Sequence, residues 1–130
     1  PKHFLTQNFL RLKDVIDDSH FELSIHSDAC NMPTRPLYGV YKAVTRRDDE
    51  DQEISDSRVQ TIDVVTGIRA ITIEAAKQNR NEELFGSLEK GKRASFTVFE
   101  KDLLDSTNHF ENLKQDVKQL IMEGKEIPLS

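Results

Sequence analysis

The sequence predicts an α/β fold: the closing helix–strand–helix elements of a (β/α)8 barrel over residues 1–83, followed by part of a small β-unit over 84–130. Three observations lead there. Leu5, Phe9, Leu12 and Ile16 recur at helical spacing and run through Asp17-Asp18-Ser19 into the β-prone stretch 21–25. Helix, short turn and strand form the αβ half of a βαβ unit. That strand ends in a small polar turn carrying one carboxylate, Asp28, where a barrel strand presents functional residues at its C-terminal mouth. From Leu84 onward the pattern changes to short β-prone runs separated by turns. With 130 residues the chain can bury one modest core. A complete barrel needs roughly 250, so the expectation is a C-terminal piece of one.

The elements follow in order. Residues 4–17 read as an amphipathic helix and 21–25 as a strand, apolar but for Glu22 and Ser24. Pro33 and Pro36 punctuate the next loop, and Pro36 suits a first helical turn, where its missing N–H costs nothing. Leu37, Val40, Tyr41 and Val44 then give the i, i+3, i+4, i+7 stripe of a short helix. Residues 46–60 are polar and charged and read as an exposed loop. Thr61 is a candidate cap for a helix starting at Ile62, with Asp63 in its first turn and a stripe of Val64, Ile68, Ile71 and Ala75. The β-branched run Ile71-Thr72-Ile73 predicts a break near Thr72 and a second segment over 73–78. Gly86 and Gly91 frame a hairpin with Lys90-Gly91 as its turn, and 96–99 is β-prone. Asn108 with Glu111 suits one capped helical turn. Residues 117–122 read as a strand, turned at Glu123-Gly124 into 125–127.

Composition excludes several classes. The net charge is −5 and the pI near 5.4. No basic stripe is available to displace counterions, which argues against a nucleic acid partner. No apolar run reaches the roughly 18 residues of a membrane span, and residues 1–20 lack the apolar core of a signal peptide. A single cysteine, Cys30, excludes an internal disulfide and suits a reducing, cytoplasmic setting. The chain starts at Pro1 without Met, consistent with trimming or processing.

Asp28 is the main candidate for chemistry. It can be a turn or cap residue, since Asp commonly closes loops after strands. It can also be a metal ligand or general base at a barrel mouth, taking a proton from a metal-bound water. His26 lies two residues earlier and would share a strand face with Asp28, so the pair offers a minimal metal clip. A catalytic zinc site wants about three protein ligands. His3, His20 and His109 sit in unrelated contexts, and no local pattern gives Cys30 a base. The run Asp48-Asp49-Glu50-Asp51 lacks the glycine and spacing of a calcium loop and reads as solvated. The glycines match no phosphate-binding signature.

Four segments in order carry a family resemblance. Ser24-Ile25-His26-Ser27-Asp28-Ala29, with Pro36-Leu37-Tyr38-Gly39-Val40-Tyr41-Lys42-Ala43-Val44-Thr45-Arg46, resembles the last barrel strand and following helix of the metal-dependent amidohydrolases. The amidohydrolase-3 group is the best match, and the His-Ser-Asp variant looks most like its exoenzyme regulatory protein-like branch. Residues 61–76 are similar to the group's capped helix and Thr-Ile-x-Ala-Ala turn. Gly86-Ser87-Leu88-Glu89-Lys90-Gly91-Lys92-Arg93-Ala94-Ser95-Phe96 resembles its Gly-Ser-Ile-Glu hairpin, and Leu120-Ile121-Met122-Glu123-Gly124-Lys125 its closing turn. Ser95 stands where the family usually has a structural Asp.

The resemblance implies a hydrolase of amide-type C–N bonds in small molecules, using a divalent metal, zinc first. Asp28 matches the family's final-strand aspartate, which contacts the metal centre and shuttles the proton from attacking water to leaving group. His26 stands where many members have Gly, so no family role carries over to it. The family's other metal ligands, and half of its β-sandwich, have no match and would lie upstream of Pro1. The chain alone is therefore expected to be inactive, to lack the metal and to need the missing upstream barrel segment. The alternative is a non-enzymatic regulatory or interaction module that inherited the fold. Open strand edges also raise the expectation of a homodimer.

Overall fold

The computed structural model describes residues 10–18, 20–29, 33–54 and 58–129. Its centre is helix α2, Pro36–Thr45, with Pro36 in the first turn as its stripe predicts. Leu37, Val40, Tyr41, Ala43 and Val44 are buried along it and meet Ile62, Val64 and Leu113 in one apolar cluster. The helix ends at Arg46, which adopts a left-handed φ of 53° and donates its N–H to the Lys42 carbonyl at 2.9 Å. A non-glycine residue there bears a local strain that packing must offset. Arg46 is itself buried, with 5% of its surface exposed.

Ahead of α2, helix α1 is Leu12–Asp17. Leu12 and Ile16 of the expected stripe pack against the cluster, while Leu5 and Phe9 lie outside the described residues. Gln60, at the end of a 3-10 turn spanning Arg58–Gln60, fastens α1 from one side. Its Oε1 accepts the Lys13 N–H at 3.1 Å and its Nε2 donates to Asp14 Oδ2 at 3.0 Å.

Residues 21–25 differ from the expected strand: they carry no regular secondary structure. Leu23 and Ile25 still turn toward the core, whereas Phe21 is 63% exposed. The segment is held by the Ile25 N–H on the Ala70 carbonyl at 3.1 Å and by Gln78 Nε2 on the Glu22 carbonyl at 3.2 Å. A strand exists only through a neighbouring strand. The three strands of the described sheet pair with one another, not with this segment.

Helix α3, Val64–Ala70, begins two residues later than expected because Asp63, not Thr61, caps it. Asp63 Oδ1 accepts the Thr66 N–H at 2.9 Å and Oδ2 the Thr66 hydroxyl at 2.6 Å. Ile62 is instead drawn into the core with 7% exposure. The break at Thr72 is present, followed by α4, Ile73–Gln78. The Thr72 hydroxyl donates back to the Ile68 carbonyl at 2.7 Å, covering an acceptor at the end of α3.

Beyond Leu84, the Lys90-Gly91 turn forms, with Gly91 at φ +100°, but no strand pairs across it. Strand β1 is Phe96–Val98, α5 is His109–Asn112, β2 is Gln119–Met122 and β3 is Lys125–Ile127. The sheet order is β1-β2-β3 and both pairings are antiparallel, with Phe96 opposite Ile121 and Met122 opposite Lys125. Glu123 and Gly124 turn the second hairpin at φ 50° and 78°, the two positive values a tight hairpin turn demands. No helix among the described residues is long and apolar enough to cross a membrane.

Candidate functional site

Asp28 sits where segment 21–27 reverses direction, exposed and at φ 48°. Asx side chains tolerate this left-handed geometry better than most residues do. Its N–H donates to Nδ1 of His26 at 3.2 Å, so the two candidate residues are neighbours. The contact ties backbone to ring and does not converge two side chains on one point.

Among the described residues no group of three or more His, Cys, Asp or Glu side chains is arranged to hold an ion. The described residues of this chain thus supply no complete ligand set for a divalent metal.

Beside His26 lies a depression of about 290 Å3 lined by Ile25, His26, Ser27, Thr34, Arg35, Pro36 and Gly39. It sits over the first turns of α2. Gly39 allows the close approach beneath it, since a Cβ there would meet Cγ2 of Ile25 at 2.8 Å. Arg35, at its rim, donates through Nη2 to Asp116 Oδ1 at 2.5 Å and to the Lys114 carbonyl at 3.3 Å. One rim of the depression is thus tied to the C-terminal part of the chain.

The acidic run is exposed, as expected, and it is also held in a defined shape. Asp48-Asp49-Glu50-Asp51 forms a tight reversal closed by the Asp48 N–H on the Gln52 carbonyl at 2.9 Å. Tyr38 of α2 donates to Asp49 Oδ1 at 2.7 Å, and Lys42 Nζ stands 3.0 Å from the same atom. Tyr41 donates to Asp51, which Lys114 also approaches at 3.3 Å while lying 4.8 Å over the Tyr41 ring. The tyrosine hydroxyls, then the lysines, hold both carboxyls below the ordinary Asp range. Burial, then the bond to Asp51, pushes the Tyr41 phenol up. This clamp was not read from sequence. Its signal was Tyr38, Tyr41 and Lys42 on one helical face, i, i+3 and i+4, a few residues ahead of the acids.

Of the remaining candidates, His20 bonds Asp18 Oδ1 at 2.9 Å on the surface, 87% exposed along its side chain. His109 opens α5. His3 and Cys30 lie outside the described residues.

A model of the amidohydrolase family matches residues 16–127 of the chain. Searches among curated proteins and among solved structures gave no match.

Proposed function

The chain belongs to the amidohydrolase family, and from that premise we propose that it is the C-terminal portion of a hydrolase acting on amide-type C–N bonds of small molecules. Hydrolase chemistry in the general sense follows from the family. The finer reading is that Asp28 moves the proton. Its carboxylate takes a proton from the attacking water as the water oxygen bonds to the amide carbon. It returns that proton to the nitrogen as the C–N bond breaks, leaving a carboxylic acid and an amine. The observation carrying this is the family match over 16–127, which takes in Asp28 on an exposed turn.

The metal expected of the family, zinc by our reading, supplies electrophilic activation and lowers the pKa of bound water. Among the described residues no three donors are arranged to hold it, so Asp28 would supply at most one ligand, with His26 the weaker candidate, and the remaining ligands would come from elsewhere in the protein. In the same reading residues 1–83 end a barrel, 84–130 contribute to a β-sandwich, the protein is cytoplasmic, and it falls in the exoenzyme regulatory protein-like branch.

The test uses the full-length gene product. Metal content and turnover are compared for wild type and Asp28→Asn over N-acyl and cyclic amide substrates. A proton-shuttle role expects a fall of about a hundredfold or more in turnover with metal content retained. Turnover unchanged by the substitution removes Asp28 from the chemistry. Absence of any turnover and of metal in the wild type would favour a non-enzymatic interaction module.

A further inference from the structure

The turn that carries Asp28 starts from a fixed base. Ile25 donates its N–H to the Ala70 carbonyl of α3 at 3.1 Å. On its other side its Cγ2 presses on Gly39 of α2, where a Cβ would stand only 2.8 Å away. His26 follows directly, and its Nδ1 accepts the Asp28 N–H at 3.2 Å. An accepting Nδ1 is unprotonated, so the neutral ring that makes this bond carries its proton on Nε2.

The bond closes a short loop. An Asn or Asp side chain makes the same closure when it accepts the N–H two residues on, as in an Asx turn. It pins the peptide plane between Ser27 and Asp28. From that plane Asp28 departs at φ 48°, in the left-handed region that residues other than glycine visit sparingly. The plane and φ together set where the Asp28 Cβ points. Both His26 and Asp28 are exposed, so burial does not fix the direction of the carboxylate.

We propose that His26 is the positioning residue of Asp28: through Nδ1 it holds the turn that aims the carboxylate. The role rests on the proton-shuttle reading of Asp28. A carboxylate that takes a proton from water and returns it to a nitrogen must reach both at hydrogen-bond distance. A misplacement of about 1 Å can cost about a hundredfold in rate.

The test compares His26→Ala and His26→Asn with wild type and Asp28→Asn in the full-length gene product. Alanine offers no acceptor, whereas asparagine offers Oδ1 to the same N–H. His26→Ala should lower kcat about ten- to a hundredfold with KM and metal content unchanged. His26→Asn should recover most of that loss. Metal lost from both His26 variants makes the residue a ligand, and equal falls in both without metal loss make something other than the accepted N–H its contribution. Either result overturns the proposal. So does a kcat unchanged in His26→Ala while Asp28→Asn lowers it, a result that leaves the shuttle reading intact. Turnover unchanged in Asp28→Asn removes the shuttle and the positioning role together. A second readout needs no turnover. Nitrogen NMR of the isotope-labelled 130-residue chain, in weakly alkaline buffer, should show His26 protonated at Nε2 and bare at Nδ1. The Asp28 amide should exchange faster in His26→Ala than in wild type or His26→Asn. A ring protonated at Nδ1 overturns the proposal whatever the chemistry of Asp28.

Discussion

The crossing of α2 and α3 rests on a glycine pressed against a valine, and a double-mutant cycle should reveal it. Val40 is fully buried, with 0% exposure. A Cβ built on Gly67 would stand 2.7 Å from Val40 Cγ1, while its next neighbours, Val40 Cβ and Ile62 Cδ1, are at 3.6 and 3.7 Å. Gly67→Ala alone gains about 1 kcal/mol of helix propensity. It also forces overpacking against an immobile side chain, at about 1–3 kcal/mol. The expected net effect is a loss of about 1 kcal/mol. Val40→Ala alone removes two methyl groups at about 0.8 kcal/mol each and leaves a small void, for a loss of about 2 kcal/mol. In the Val40→Ala background the close contact is gone and both remaining neighbours lie at ordinary van der Waals distance. There Gly67→Ala should reverse sign and stabilise by about 1 kcal/mol. The coupling is then about 2 kcal/mol, measurable by urea denaturation of the four proteins at constant m-value. Equal effects of Gly67→Ala in both backgrounds, within about 0.5 kcal/mol, would refute the packing account.

Asp63→Ala should cost about 1 kcal/mol by uncapping α3. The Thr66 hydroxyl and N–H hold the Asp63 carboxyl below its ordinary value. Its contribution should thus be complete above pH about 4 and fade as pH falls through the lower folded-state pKa, so wild type and variant converge in acid urea titrations. Gly86→Ala should cost about 2–3 kcal/mol in the same assay. Gly86 sits at φ +92°, and a Cβ would meet Ala76 Cβ and the Ile73 backbone, both at 2.8 Å. Tyr41→Phe should cost about 1 kcal/mol by deleting the bond to Asp51. Because the Tyr41 phenol is pushed up, that contribution should persist to pH about 10 and vanish as the pH rises through the folded-state value, readable by phenolate absorbance with stability.

Much of the fold was legible where the signal was local. Helix α2 announced itself through Pro36 and a four-residue apolar stripe, and the Glu123-Gly124 turn through the residues that tolerate positive φ. The break at Thr72 followed from β-branched crowding. What failed was what depends on partners. Residues 21–25 have strand composition, yet no neighbouring strand in the described residues gives them a ladder. Thr61 was expected to cap α3, but with Ile62 drawn into the core the cap is Asp63. In the site, Asp28 was legible as the residue of a polar turn, and its contact with His26 follows from their spacing. The clamp of Tyr38 and Tyr41 on Asp49 and Asp51 joins a helix to a loop, and no single-element pattern reports such a meeting.

The concentration of buried side chains on α2 sets an order of events for this molecule in water. Five of its ten residues are buried, whereas none of the residues in β1, β2 or β3 is. Amide protons of the sheet are therefore guarded by hydrogen bonds alone and should exchange through shallow local openings. Those of α2 can exchange only when the cluster around Val40 comes apart, and with it Leu113, contributed from far along the chain. The slowest-exchanging amides then form one helix, and their rate measures the stability of the whole chain.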